Sequence, residues 1–209
     1  VTAPAPQGSP EWIAARLGRV TASRVADVIA RTKSGPAASR TNYAAELIAE
    51  RLTGRPAERY RSAEMIWGSE TEPLARAAYS FRCDVDVEPA GFVDHPGIAM
   101  SGASPDGLVG AEGLVEIKCP NTATHIDTLL RAHVPEKYVS QMQFQMACTG
   151  RAWCDFVSFD PRLPEPMRSF VARVVREEPR ILALEGEVER FLAELAARIE
   201  RLREAYENA

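Results

Sequence analysis

Between about residues 85 and 119 the chain changes texture, and this block limits the fold more than any other feature. Val85–Val93, Ile98–Ser101 and Leu114–Cys119 are short, β-prone and separated by Gly, Pro and Asp turns. Helical patterns stand on both sides, so the expected architecture is a small sheet covered by helices. Upstream, Ser9-Pro10-Glu11-Trp12 reads as an N-cap, a proline at the first helical position and an acid in the first turn, predicting a helix to about Leu17. Thr21 is expected to cap a short helix to about Ala30, and Thr32–Pro36 to form a basic loop. Asn42–Leu52 reads as a third helix, stopped by Thr53-Gly54-Arg55-Pro56. A fourth helical stretch, from about Met65 to Phe81, is expected to break or bend at Gly68 and Pro73.

Downstream, Leu108–Gly113 reads as a hairpin connection, and helices are expected at about 123–132 and 136–148. Ala152–Phe159 and Ser169–Val175 read as strands. The final segment, 179–207, places Ile181, Leu184, Val188, Phe191 and Leu195 at helical spacing. The sum is an α/β chain with a central sheet of about five strands and helices on its faces. One domain over residues 1–209 is expected, with a flexible lead-in at 1–8 and a C-terminal helix within 177–209.

Composition narrows the classes. No stretch has the length and apolarity of a membrane span. Residues 1–8 lack a basic head followed by an apolar run, so no secretion signal is expected and the cytoplasm is the expected compartment. Cys83, Cys119, Cys148 and Cys154 form no CxxC pair and are expected to be reduced, mostly buried thiols. A net charge of −4 speaks against a generally basic nucleic-acid binder, but the charge is unevenly spread. Residues 1–62 hold 10 Lys and Arg against 5 Asp and Glu, whereas 177–209 hold 5 Arg against 9 Glu. The basic third suits phosphates, and the acidic helix is expected to face elsewhere.

The chemistry lies in Ser104-Pro105-Asp106-Gly107 followed by Val115-Glu116-Ile117-Lys118-Cys119-Pro120. Side chains alternate along a strand, so Glu116 and Lys118 share one face and Val115 and Ile117 the other. A hairpin can return Asp106 to Glu116, gathering two carboxylates and a lysine. Hard oxygen ligands of this kind suit Mg²⁺, and a neighbouring lysine can orient a water. Standing alone, Asp-Gly is also an ordinary turn and Glu-x-Lys an ordinary solvated face.

Five strings in order resemble one family. Asp106…Glu116-x-Lys118 matches the PD-(D/E)xK pattern. EWIAARLGRVTAS (11–23), WGSETEP (67–73), SPDG (104–107), EIKCP (116–120) and YVSQMQFQM (138–146) are similar to the lambda exonuclease or YqaJ-like viral recombinase nucleases. The resemblance implies a restriction-endonuclease-like core, a central mixed β-sheet flanked by helices. It implies 5′→3′ exonuclease activity on linear double-stranded DNA, releasing mononucleotides and leaving 3′ single-stranded tails for phage-type recombination. It also implies two Mg²⁺ (or Mn²⁺) ions per site, a homotrimer, a phage single-strand annealing protein as partner, and a phage or prophage protein acting in a bacterial host.

Carried over by position, Asp106, Glu116 and the Ile117 carbonyl would hold metal, Lys118 would position the water, and Glu72 would add an acid near a second ion. Gln141 would lie by the nucleophile and scissile phosphate. Arg16, Ser23 and Ser104 would form a pocket for a 5′-phosphate, with Ser23 placed in the first turn of a helix. Arg31 and Lys33 would touch the DNA backbone. One departure is that no arginine stands in Asn121–Thr124, where some members carry a phosphate-contacting one. Competing readings are a Cas4- or RecB-like nuclease, a restriction-type endonuclease and a non-catalytic DNA-end-binding protein. No cysteine lies beyond Cys154, which disfavours the iron–sulfur members of the first group.

Overall fold

Ser9 caps α1 (Pro10–Arg16) by accepting a hydrogen bond from the Trp12 amide at 3.2 Å, as its Ser-Pro-Glu start requires. The computed structural model describes residues 5–57 and 62–206; of the lead-in expected at 1–8, residues 1–4 lie outside these, as does residue 207 of the last helix. After α1 come β1 (Val20–Thr21), a 3₁₀ turn (Ala22–Arg24), α2 (Val25–Val28) and a small hairpin of β2 (Arg31–Thr32) and β3 (Gly35–Pro36). The basic loop is therefore partly paired. Next is α3 (Ala38–Thr53), which Gly54 ends in the left-handed conformation at φ 65°.

The stretch expected to break is one helix, α4 (Ala63–Cys83), running through Pro73. Proline removes one backbone donor there. Packing outweighs that loss, because Ala75 and Tyr79 on its inner face are buried among Val115, Ile117, Val157 and Phe159.

The expected strand Val85–Val93 is divided by Pro89 and Gly91 into β4 (Val87–Glu88) and β5 (Val93–Asp94), which join different sheets. The strand expected at Ile98–Ser101 begins only at Ser101, as β6 (Ser101–Ala103), after Met100 adopts φ 61°. Then follow β7 (Gly107–Val109), β8 (Gly113–Lys118), α5 (Thr122–Arg131), α6 (Glu136–Thr149), β9 (Trp153–Phe159), β10 (Ser169–Val175) and α7 (Glu178–Tyr206).

The main sheet has the order β10-β9-β8-β7-β4 and is mixed: β8 and β9 run parallel and the other pairs antiparallel. A parallel pair needs a crossover, and α5 and α6 supply it. As the middle strand, β8 is covered on both faces. Val115 and Ile117 pack under α4, while Leu114 packs with Met142 and Met146 of α6. Glu116 is therefore 0% exposed, on a face buried by α6 and not solvated. A second sheet, β1-β6-β5, joins α2, α3 and α7 around Val20, Tyr43, Leu47, Val188 and Phe191.

Polar groups are tied into this core. Asp155 of β9 accepts from the Tyr79 hydroxyl at 2.8 Å and from the Arg173 guanidinium at 2.8 and 2.9 Å. Two histidines are buried. His125 bonds Ser158 Oγ at 2.7 Å and the Met167 carbonyl at 2.9 Å, and His95 lies 3.0 Å from Glu185. All four cysteines are free thiols, three of them buried. Among the described residues no helix is long and apolar enough to cross a membrane.

Candidate active site

The β7–β8 hairpin assembles the centre. Its register pairs Gly107 with Val115, so the next pair outward sets Asp106 opposite Glu116. Asp106 is held there by accepting a 2.7 Å hydrogen bond from the Ile117 amide. Both oxygens of Glu116 are engaged: Oε1 accepts from Gln141 Nε2 and Oε2 from Gln145 Nε2, each at 2.6 Å. Lys118, two residues along on the same face, forms an ion pair with Glu116 Oε1 and sits 5.4 Å from the centre of the Tyr138 ring.

α4 forms the wall beside them. Glu72, paired with Arg76 at 2.5 Å, borders two clefts. One, of about 690 Å³, is lined by Gln7, Trp12, Glu72, Arg76 and Asp106. The other, of about 430 Å³, is lined by Met65, Glu72, Ile117, Lys118 and Tyr138. The carboxylate–lysine cluster thus lies where the two clefts share a wall. Gln7 anchors the approach to α1 by donating to the Pro105 carbonyl at 3.2 Å.

The electrostatics show what this cluster lacks. Burial, then the charges of Glu116 and Glu72, push the Asp106 carboxyl up to about 8, against the opposing pull of Lys118 and the Ile117 amide. Burial alone would lower the Lys118 ammonium, but Glu116 and Asp106 outweigh it and raise it. Burial and the same acids, Glu72 and Asp106, push the Cys119 thiol up to about 12. Three carboxylates, Asp106, Glu116 and Glu72, stand against two cations, Lys118 and Arg76, and a divalent cation would balance the remaining negative charge. Among the described residues no three His, Cys, Asp or Glu side chains already converge on one point. Two carboxylates beside open clefts fit a hard divalent cation that keeps part of its water shell.

Across the wider cleft, Ser104 Oγ accepts from Arg16 Nη1 and from Trp12 Nε1, both at 3.0 Å. The Arg16 guanidinium lies 4.1 Å from the Trp12 ring centre. Arg16 and Ser104 are therefore in contact, as the phosphate-pocket expectation requires. Ser23 is exposed, with its hydroxyl 3.3 Å from that of Thr21, and Thr21 and Arg16 line one cavity. It does not occupy the first turn of an α-helix. Residues 22–24 form one 3₁₀ turn before a helix of only four residues, too short for an aligned row of peptide dipoles. Lys33 is exposed at the β2–β3 turn, while Arg31 reaches Glu187 of α7 at 3.2 Å. The acidic helix is thus not wholly apart from the basic hairpin.

Three contributors escaped the sequence reading. Trp12 orients Ser104, and Tyr138 faces Lys118. Gln145 was one of three alternating glutamines, and only helical spacing separates them. Gln141 and Gln145, four apart, face Glu116, whereas Gln143 turns away to the Val175 carbonyl and the Glu177 amide.

The model of the YqaJ-like viral recombinase domain matches residues 11–152. An alkaline exonuclease from Laribacter hongkongensis is 55% identical over 96% of this chain and 100% of its own, with a TM-score of 0.89. The same exonuclease in complex with dAMP gives a TM-score of 0.90 at the same identity and coverage. A phage-related exonuclease from Haemophilus somnus 129PT shares the fold, with a TM-score of 0.66 at 15% identity, covering 87% of this chain and 96% of that one. No curated protein sequence matched.

Proposed function

Because the chain belongs to the YqaJ-like viral recombinase family, we propose that it is a 5′→3′ exonuclease on linear double-stranded DNA, one nuclease domain on a restriction-endonuclease-like core. The observation that carries this is the gathering of Asp106, opposite Glu116 in the hairpin register, with the Glu116–Lys118 ion pair beside two clefts that share Glu72 in their lining, while Ser104, two residues before Asp106, accepts a hydrogen bond from Arg16. Asp106, Glu116 and the Ile117 carbonyl would hold a divalent cation, and Glu72 would add negative charge to the site. A bound Mg²⁺, or Mn²⁺ in its place, supplies Lewis acidity that acidifies water and offsets charge on the phosphate. Lys118 orients the attacking water and takes up charge on the phosphate oxygens. Gln141 holds Glu116 by donating to its Oε1 and would lie by the nucleophile and scissile phosphate.

Arg16 and Ser104 receive the 5′-phosphate, with Ser23 as a further hydroxyl, and Lys33 and Arg31 meet the duplex backbone. The Laribacter exonuclease binds dAMP, and the 690 Å³ cleft between Arg76, Trp12 and Asp106 has room for such a mononucleotide. The protein acts as a homotrimer in phage-type recombination in the bacterial cytoplasm, beside a single-strand annealing protein. Light scattering checks the trimer: a monomer at working concentration removes that part of the proposal.

End-labelled linear and closed circular duplexes with Mg²⁺ test the central reading. Stepwise release of mononucleotides from the linear duplex alone is expected; nicking of the circle indicates an endonuclease, and binding without products an inert end-binder.

End recognition has its own test. Removing a charge-assisted contact costs on the order of 1.5–3 kcal/mol, roughly ten- to a hundred-fold in rate. Arg16→Ala is therefore expected to slow digestion of 5′-phosphorylated ends by that factor and of 5′-hydroxyl ends much less. Initial rates on both substrates give the ratio, and an unchanged ratio removes Arg16 from phosphate reading.

A further inference from the structure

Glu116 is gripped by two amides, and only one of them has been given a part in the reaction. Gln145 is 0% exposed and donates to Glu116 Oε2 at 2.6 Å, opposite the Gln141 bond to Oε1. A buried amide could in principle present either its nitrogen or its oxygen. Here the neighbours decide: the Gln145 oxygen faces the Cys154 sulfur at 4.0 Å, a long thiol contact, and a carboxylate accepts but does not donate. The nitrogen must therefore point at Glu116.

We propose that Gln145 is a positioning residue for hydrolysis: with Gln141 it fixes the plane of the Glu116 carboxylate so that this group meets the divalent cation in one orientation. A neutral donor suits the task. A second lysine here would cancel the charge that attracts the cation, and an apolar residue would leave Oε2 buried without a donor. Gln141 and Lys118 both act on Oε1, so Gln145 supplies the hydrogen bond that restrains the far oxygen. Restraint of this type commonly changes metal affinity or turnover by roughly 10- to 100-fold. The inference rests on the nuclease reading above and adds a residue to it.

The variant is Gln145→Met, which keeps the volume and removes the donor. Mn²⁺ binding to the DNA-free protein, followed by electron paramagnetic resonance, is expected to weaken about tenfold or more. Single-turnover cleavage should slow by a similar factor and recover as Mg²⁺ is raised, with KM for DNA ends and the urea midpoint little changed. A packing defect would instead move the midpoint and would not respond to metal. If Gln145→Met does not fold, Gln145→Asn, whose amide stops one methylene short of Glu116, serves the same comparison. Wild-type Mn²⁺ affinity and an unshifted Mg²⁺ dependence in a folded variant overturn the role of Gln145 while leaving the nuclease reading intact. A wild-type protein that neither binds Mn²⁺ nor cuts DNA overturns both.

Discussion

Asp106→Ala and Lys118→Ala proteins are expected to bind linear duplex ends and release no measurable nucleotide. Asp106 lines the wider cleft and Lys118 the narrower one, and neither belongs to an apolar core cluster. Their removal leaves the hairpin register and the Arg16–Ser104 contact in place. Losing electrostatic stabilisation of about 4 kcal/mol at the reacting phosphate corresponds to roughly a thousand-fold in rate. Glu116 calls for a gentler change, because alanine there strands the amides of Gln141 and Gln145 in a buried site. Glu116→Gln keeps the volume and should lose activity to the same degree. Nucleotide release and end binding by gel shift, measured on the same preparations, separate chemistry from recognition. Near-normal turnover by a folded variant at any of the three positions removes the proposed mechanism.

The largest stability effect is expected at Asp155, which pairs with Val115 on the neighbouring strand. Its carboxylate accepts from Tyr79 and twice from Arg173, joining α4 to β9 and β10. Asp155→Ala leaves the buried Tyr79 hydroxyl without its acceptor, at about 1–3 kcal/mol, and deletes a forked ion pair. Arg173 is half exposed and can turn to water, so its share is discounted. A total loss of about 2–4 kcal/mol is expected in urea unfolding, with catalysis preserved while the protein is folded. Tyr79→Phe removes only the hydroxyl and should cost about 1 kcal/mol. If the two variants lose equal stability, the Arg173 contacts contribute nothing.

The parts of the site legible in the sequence were those built by local geometry. Asp106 and Glu116 are joined by one hairpin, and period-two alternation places Lys118 beside Glu116. Helix ends at Ser9 and Gly54 were legible because capping chemistry is local. What escaped depends on distant partners. Pro73 looked like a break because the burial of Ala75 and Tyr79 against β8 is invisible in a single segment. The face of Glu116 looked solvated until α6 closed over it. Arg31 looked available because nothing near it in sequence foretells Glu187.

The same contrast bears on how tightly different parts of the molecule are held. α1 buries no residue, and Trp12 and Arg16 are tied to Ser104 across 92 and 88 positions of chain. The hydrolytic cluster rests on a central strand paired on both sides and covered on both faces. An element held by a few polar contacts opens by local fluctuation at much lower free energy than the sheet. The element proposed to read the DNA end is therefore lost more readily than the strand that carries Glu116 and Lys118. Amide protons of α1 should exchange long before those of β8, and a warmed enzyme can keep its capacity to cut while ceasing to distinguish which ends to enter.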